Sequence, residues 1–350
     1  MKLLNWLAHP RMMFWLMPPL MLLLVAGTLA QREIGLYEAE RLFFASAPMY
    51  ALLALLSFSL LAKLLLKSPP SRTTSGIIIT HLGALLLMFG GLLTALSSEE
   101  GFLSAAEGES TRIVSDYHAR ELVLLDDSSE AVFRWPHREL SAGETLTAES
   151  LGLSLTIEKV CRNCLPAMRE GAADEDHGVA AQVTLTHQPL EKQDEANLAG
   201  IELKLSGAGE AQDGRYVLFE PMQNRPEITL EDGRTLTLAV RKTQRELPFT
   251  VTLLAFDKFT YPGSDTAREY QSRVEIDEGG GFVWQALIRM NEPLRVMGYT
   301  LYQSSFLERS GEQISVLAVV KNKGRVFPYV ASFVIGFGIL WHLRVRRHKA

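Results

Sequence analysis

Apolar residues fall into long unbroken blocks at both ends of the chain and into short alternating runs between them. A helix rises ~1.5 Å per residue, so crossing a ~30 Å hydrocarbon core takes ~20 apolar residues in succession. Three such blocks lie in the first 96 residues, at about 12–30, 48–66 and 76–96, and a fourth at 326–343. Each predicts a transmembrane helix. Pro18 and Pro19 predict a kink in the first, and Lys63 stands near the end of the second, where its stem can reach the interface. The first block has a second reading as a cleaved signal peptide, with Lys2 and Arg11 before it and Thr28-Leu29-Ala30 as a small-residue cleavage site, although its apolar run exceeds the usual signal core.

Between the blocks, apolar and polar residues alternate with period two. The runs are LSLTIEKV (153–160), AQVTLTH (181–187), IELKLSG (201–207), RTLTLAV (234–240), FTVTLLAF (249–256), YTLYQSSF (299–306) and ISVLAVV (314–320). Such runs predict antiparallel strands with one buried face. Glu231-Asp232-Gly233, Tyr261-Pro262-Gly263 and Gly279-Gly280-Gly281 mark turns. Residues 170–177 and 188–197 read as surface loops. The expected protein is therefore a membrane protein with about four transmembrane α-helices and a large all-β, sandwich-like antiparallel domain outside the cytoplasm. Residues 1–96 would form the first membrane region, 97–325 the β-domain as one sandwich or two modules, and 326–350 the last helix with a basic tail.

Charge sharpens the division. Residues 97–325 hold 24 Lys and Arg against 37 Asp and Glu, a net of −13, and the remainder carries +8. An acidic domain on basic membrane segments argues against nucleic acid as a partner. Lys2 and Arg11, then Lys63, Lys67 and Arg72, then Arg344, Arg346, Arg347 and Lys349 mark three cytoplasmic flanks by the positive-inside rule. Both termini are then cytoplasmic, and the 31–47 loop shares the far side of the membrane with the β-domain. Lys321, Lys323 and Arg325 pull the other way and are outvoted.

Few residues point to chemistry. His81 lies inside the third block, where an imidazole is costly. It reads either as a haem ligand through a neutral ring nitrogen or as a histidine bonding to another helix. His342, near the same end of the fourth block, is a weaker candidate. Cys161 and Cys164 form a C-x-x-C followed by Leu165, so the pair is not a covalent haem attachment site. No second pair completes a zinc site. A local disulfide and an exchanging dithiol both remain open. His118, His137, His177 and His187 lack metal-ligand spacing and read as surface residues. With no G-x-S-x-G, H-E-x-x-H or phosphate-binding glycine loop, a soluble-type active site is not expected.

The order of parts resembles the ResB family of cytochrome c biogenesis proteins, also called CcsB. The first block ends in Ala26-Gly27-Thr28-Leu29-Ala30-Gln31, similar to that family's G-T-x-x-P-Q exit with Ala30 in place of proline. Thr80-His81-Leu82-Gly83 with Gly90-Gly91 is similar to its third helix, and Glu107-Gly108-Glu109 to its acidic-glycine turn. The most specific stretch runs from Leu247-Pro248-Phe249 through Phe256, Tyr261-Pro262-Gly263 and Ser272. It continues through Asn291-Glu292-Pro293-Leu294 and Gly298-Tyr299 to Tyr302-Gln303-Ser304-Ser305, just before the last helix.

This resemblance implies a subunit of an inner-membrane complex that delivers haem and assists its covalent attachment to apocytochrome c outside the cytoplasm. The subunit would be non-catalytic or co-catalytic within a cytochrome c haem lyase. It implies haem b, held transiently and shared with a ResC/CcsA-like partner, with His81 as axial ligand. The partner would carry the tryptophan-rich segment, since Trp6, Trp15, Trp135, Trp284 and Trp341 are scattered here. Asn291, Tyr302 and Gln303, polar groups in apolar strands, are expected to serve docking or buried hydrogen bonding. The alternatives are a membrane-anchored binding or sensor module and a thiol-redox protein using Cys161 and Cys164.

Overall fold

The computed structural model describes residues 2–347 apart from 170, 172, 174, 221, 231, 265 and 310. Lys349 of the basic tail, Glu231 of one expected turn and three residues of the 170–177 loop thus lie outside the described residues. Four helices are long and apolar enough to cross a membrane: α2 (Arg11–Ile34), α4 (Ala47–Lys67), α5 (Ser75–Ser97) and α6 (Phe327–Arg347). The short α1 (Lys2–Leu7) precedes them, and α3 (Leu36–Ala39) with a π-turn at Glu40–Phe44 joins α2 to α4. Thr28 lies inside α2, its hydroxyl donating to the Leu24 carbonyl at 2.8 Å. The protein is membrane-anchored with a large β-rich domain.

Helices α5 and α6 pack antiparallel along a glycine seam. Gly76, Gly83 and Gly90 recur every seven residues and meet His342, Ile335 and Phe327 in turn. A Cβ at Gly90 would come 2.2 Å from the Phe327 Cβ, so only glycine permits this approach.

The strands start earlier than the alternating runs suggest. β1 (Glu99–Ala106) follows α5 at once, and β2 (Ser110–Leu125) turns back beside it. Then come β3 (Ala131–Pro136), β4 (Thr145–Ala148), β5 (Leu153–Cys161), β6 (Cys164–Met168), β7 (Val183–His187), β8 (Gly200–Ser206), β9 (Gly214–Phe219) and β10 (Glu227–Thr229). The 26-residue β11 (Thr235–Thr260) leads to β12 (Ala267–Asp277), β13 (Val283–Arg289), β14 (Leu294–Val296), β15 (Tyr299–Arg309) and β16 (Glu312–Lys321). The largest sheet has the order β13-β12-β11-β2-β1-β16-β15-β14, with β3 on β2 and β10 on β11; a second has the order β4-β5-β8-β9, and β6 pairs with β7.

Two cores divide this β-domain. One lies between the second sheet and the distal halves of β2 and β11, with Leu122, Leu124, Leu155, Ile157, Ile201, Leu203, Leu236 and Leu238 buried in it. The other draws Ile288 from β13 and Val296 from β14, the two ends of the large sheet, together with Phe249, Val274 and Leu317. The large sheet therefore curls around its own core. The domain has a sandwich lobe and a barrel-like lobe sharing two long strands. Their boundary is a polar waist at residues 241–246 of β11, where its pairing with β2 shifts register. The barrel-like lobe continues directly from α5 and α6, since Glu99 pairs with Lys321 at the foot of β1 and β16.

Candidate functional site

In α5, Gly76, Gly83 and Gly90 face α6. At ~100° per residue, His81 points ~160° away from Gly83, on the face that carries Met88 seven residues on. Met88 meets Ser57 of α4, whose hydroxyl lies 3.6 Å from its sulfur. His81 is half-buried, and its Nδ1 stands 2.7 Å from the Ile77 carbonyl. A carbonyl only accepts, so that contact places the ring proton on Nδ1. Nε2 has no hydrogen-bond partner among the described residues, as an imidazole ligand to iron requires. His342 sits differently. Its backbone and Cβ fill the notch over Gly76 in the α5–α6 seam, and its Nδ1 is buried without a hydrogen-bond partner among the described residues. The two histidines lie toward the same end of the helix pair, on different faces of it.

Asn291 is not in a strand. It is exposed in the turn between β13 and β14, because Pro293 and the Arg289–Glu292 bridge end the pairing there. Tyr302 on β15 is 37% exposed, whereas Gln303 beside it is buried at 5%. Gln303 joins two buried serines in the core of the barrel-like lobe: the Ser272 hydroxyl donates to its Oε1 at 2.6 Å, and its Nε2 reaches the Ser315 hydroxyl at 3.2 Å. Its amide is spent on internal hydrogen bonds.

Cys161 and Cys164 are bonded to each other, each 2% exposed, at the corner between β5 and β6. Between them Arg162 points into a charged cluster that sequence reasoning did not find. The cluster lies where the α2–α4 loop meets the sandwich lobe. Asp194 accepts from His118 Nδ1 at 2.9 Å and from Arg120 at 3.0 Å. Arg120, 8% exposed, donates five hydrogen bonds: one to Asp194, one to Glu220 at 3.1 Å, and three to the carbonyls of His118, Asp194 and Asn197. Glu38 takes a hydrogen bond from Arg162 and lies 3.1 Å from Arg41.

Two expected surface features are therefore corrected. His137 is buried at 3%, and His118 stacks on Tyr37 at 3.9 Å. The 188–197 stretch delivers Asp194 and Asn197 to the interior, at 5% and 3% exposed. The side chain of Asp176 in the 170–177 loop is likewise covered, held by Arg169 and Arg215.

Burial alone would raise the Asp194 carboxyl, but the His118 and Arg120 hydrogen bonds and charges bring it down to about 2. Burial depresses His137 to about 4; the Gly200 carbonyl opposes this, and Arg120, Arg162 and Arg138 add to it. A histidine held neutral in the fold makes the unfolded chain bind more protons below its ordinary pKa of 6.5. Stability is therefore expected to fall as pH drops from 6.5 to about 4, by on the order of 3 kcal/mol from His137 alone. Asp194 contributes a stabilisation that is present above its ordinary pKa of 3.8 and is lost as pH falls through about 2. Chemical denaturation of the sandwich lobe at pH 7 and 4.5 measures this, and His137→Asn should flatten the slope between those values.

Four apolar helices and a bilobed β-domain built on the last two of them define a membrane-anchored protein with a large β-rich domain. The chain belongs to the ResB-like family, which it matches over residues 72–325. That match takes in His81, Cys161, Cys164, Asn291, Tyr302 and Gln303 and stops short of His342. The chain is also similar to Protein NrfI of Wolinella succinogenes, with 25% identity over 330 residues, 93% of this chain and 34% of that protein. It thus spans about a third of the length of that relative. Family membership is consistent with involvement in cytochrome c biogenesis.

Proposed function

We propose that this protein is the haem-receiving, client-holding half of a cytochrome c assembly complex in the cytoplasmic membrane, with its β-domain on the outer side. The observation that carries the reading is His81: a half-buried membrane imidazole whose Nδ1 proton is held by the Ile77 carbonyl, leaving Nε2 to ligate iron. Haem supplies the iron to be ligated and the vinyl groups to which two client thiols add.

The chain's own residues do the rest. His81 would hold the haem iron through Nε2 from the α5 face turned away from α6, and a second membrane protein would supply a further ligand. The glycine seam fixes α5 against α6, so the depth of His81 is set by the same pair of helices that carries the barrel-like lobe. That lobe, rooted directly on α5 and α6, positions the client near the membrane surface. The ResC/CcsA-like protein is the proposed partner, and the Lys and Arg gathered in three flanks (Lys2 and Arg11; Lys63, Lys67 and Arg72; Arg344, Arg346 and Arg347) support the orientation with cytoplasmic termini. The α2–α4 loop touches the sandwich lobe, and this contact supports placing both on one side of the membrane.

Deletion of the gene tests the role. The expected result is loss of covalently haem-bearing c-type cytochromes with their apoproteins still synthesised, read by haem stain and immunoblot. A normal set of c-type cytochromes in the deletion strain would favour a sensor or binding module instead.

A further inference from the structure

The loop between α2 and α4 is more than a connection. Gly35 runs so close to the sandwich lobe that a Cβ there would lie 2.0 Å from the Lys192 carbonyl oxygen, and its φ of +82° is one that glycine adopts without strain. Tyr37 stacks on His118 of β2, and the Arg138 guanidinium lies 4.8 Å from its ring centroid. Glu38 is 9% exposed and Ala39 fully buried. The Glu38 carboxylate binds Arg162 and lies 3.9 Å from Arg138. Burial would raise this carboxyl, yet the Arg162 hydrogen bond and the charges of Arg162, Arg41 and Arg138 bring it below its ordinary value. Connecting loops ordinarily run exposed and mobile over the surface. This one packs Gly35, Tyr37 and Glu38 against four separate segments of another domain, at His118, Arg138, Arg162 and Lys192.

We infer that residues 35–39 are a latch that locks the sandwich lobe to the helix pair α2 and α4, with Arg162 as its catch, and that the Cys161–Cys164 disulfide exists to hold that catch in place. The sandwich lobe is also joined to the membrane helices through the barrel-like lobe, across the polar waist of β2 and β11, which provides a hinge. The catch is built with care. The disulfide closes a tight corner around Arg162, and Asn163 pins the same corner to both flanks of the 188–198 segment. Its Nδ2 donates to the Pro189 carbonyl at 2.6 Å, its carbonyl accepts from Gln188 N at 2.9 Å and its Oδ1 from Leu198 N at 3.3 Å. An arginine on a fixed backbone loses less freedom on pairing than one on a free loop. The buried sulfurs suit a structural clamp, and the membrane role proposed for His81 is not needed for this inference.

Hydrogen exchange read by mass spectrometry on the full chain in detergent tests the latch. Glu38→Gln is expected to raise exchange at least about tenfold in peptides covering 33–46 and 186–198, leaving β12–β16 unchanged. Cys161→Ser with Cys164→Ser should release the same two regions. Arg162→Gln, which keeps the disulfide, should match Glu38→Gln, and the double variant should go no further than either alone. Protection of 33–46 within about twofold of wild type in Glu38→Gln and Arg162→Gln would overturn the latch. Full protection there in the cysteine variant would overturn the role given to the disulfide. If that variant fails to fold, Arg162→Gln alone decides whether the catch exists.

Discussion

Replacing His81 with alanine is expected to lower the yield of covalently haem-bearing c-type cytochrome at least about tenfold, while the β-domain stays folded. The size of the effect follows from geometry. The Ile77 carbonyl fixes one ring nitrogen, so the other is presented in a single orientation. His342 is not a ready replacement, because its backbone and Cβ sit in the α5–α6 seam at Gly76 and its Nδ1 is buried, on a different face of the helix pair. Alanine leaves a ring-sized gap in the membrane, and added imidazole should restore part of the yield. Haem stain of membranes from cells carrying the variant, with and without imidazole, measures both. Undiminished cytochrome in the variant would remove His81 from the path.

Arg120→Ala is expected to destabilise the sandwich lobe by roughly 3–5 kcal/mol, the range for breaking a buried ion pair from one side. The cost lies in what remains. Asp194 and Glu220 lose a shared cation, and the carbonyls of His118, Asp194 and Asn197 lose their donor in a place water does not reach freely. Arg120→Lys should recover less than half, since one ammonium cannot make five bonds from a planar fork. Thermal unfolding of the full protein in detergent reads both; a loss below about 1 kcal/mol for the alanine variant would show that the cluster contributes little to the fold.

Much of the architecture is legible in the sequence because membrane spans announce themselves by length. Each of the four blocks became a helix within a few residues of its expected bounds, as nothing but a helix satisfies a lone apolar segment in lipid. Each of the seven alternating runs lies in a strand to within two residues at its ends. The two lobes were hidden for a physical reason. RTLTLAV and FTVTLLAF read as separate strands because six polar residues, 241–246, stand between them. In the fold those residues cross the waist between two cores inside one long strand. Asn291 misled because a turn residue flanked by apolar runs looks like part of a strand.

The charged cluster was illegible for another reason. Its members come from residues 38, 118, 120, 162, 194 and 220, and no local pattern links an acidic loop residue to an arginine more than a hundred positions away. One signal was present. Arg162 sits between two cysteines, and a charge held in a bonded corner has something to meet. His81 was visible from the start, because an imidazole within a membrane span stands out by its cost.

The central claim is that this chain holds haem through His81 within a membrane complex. An absorption spectrum of the dithionite-reduced complex, purified in detergent after co-expression with a tryptophan-rich ResC/CcsA-like partner, tests it most directly. The account predicts the bands of a six-coordinate b-type haem in the wild type and their loss in His81→Ala. The same haem spectrum in both proteins, or no haem in either, would contradict it.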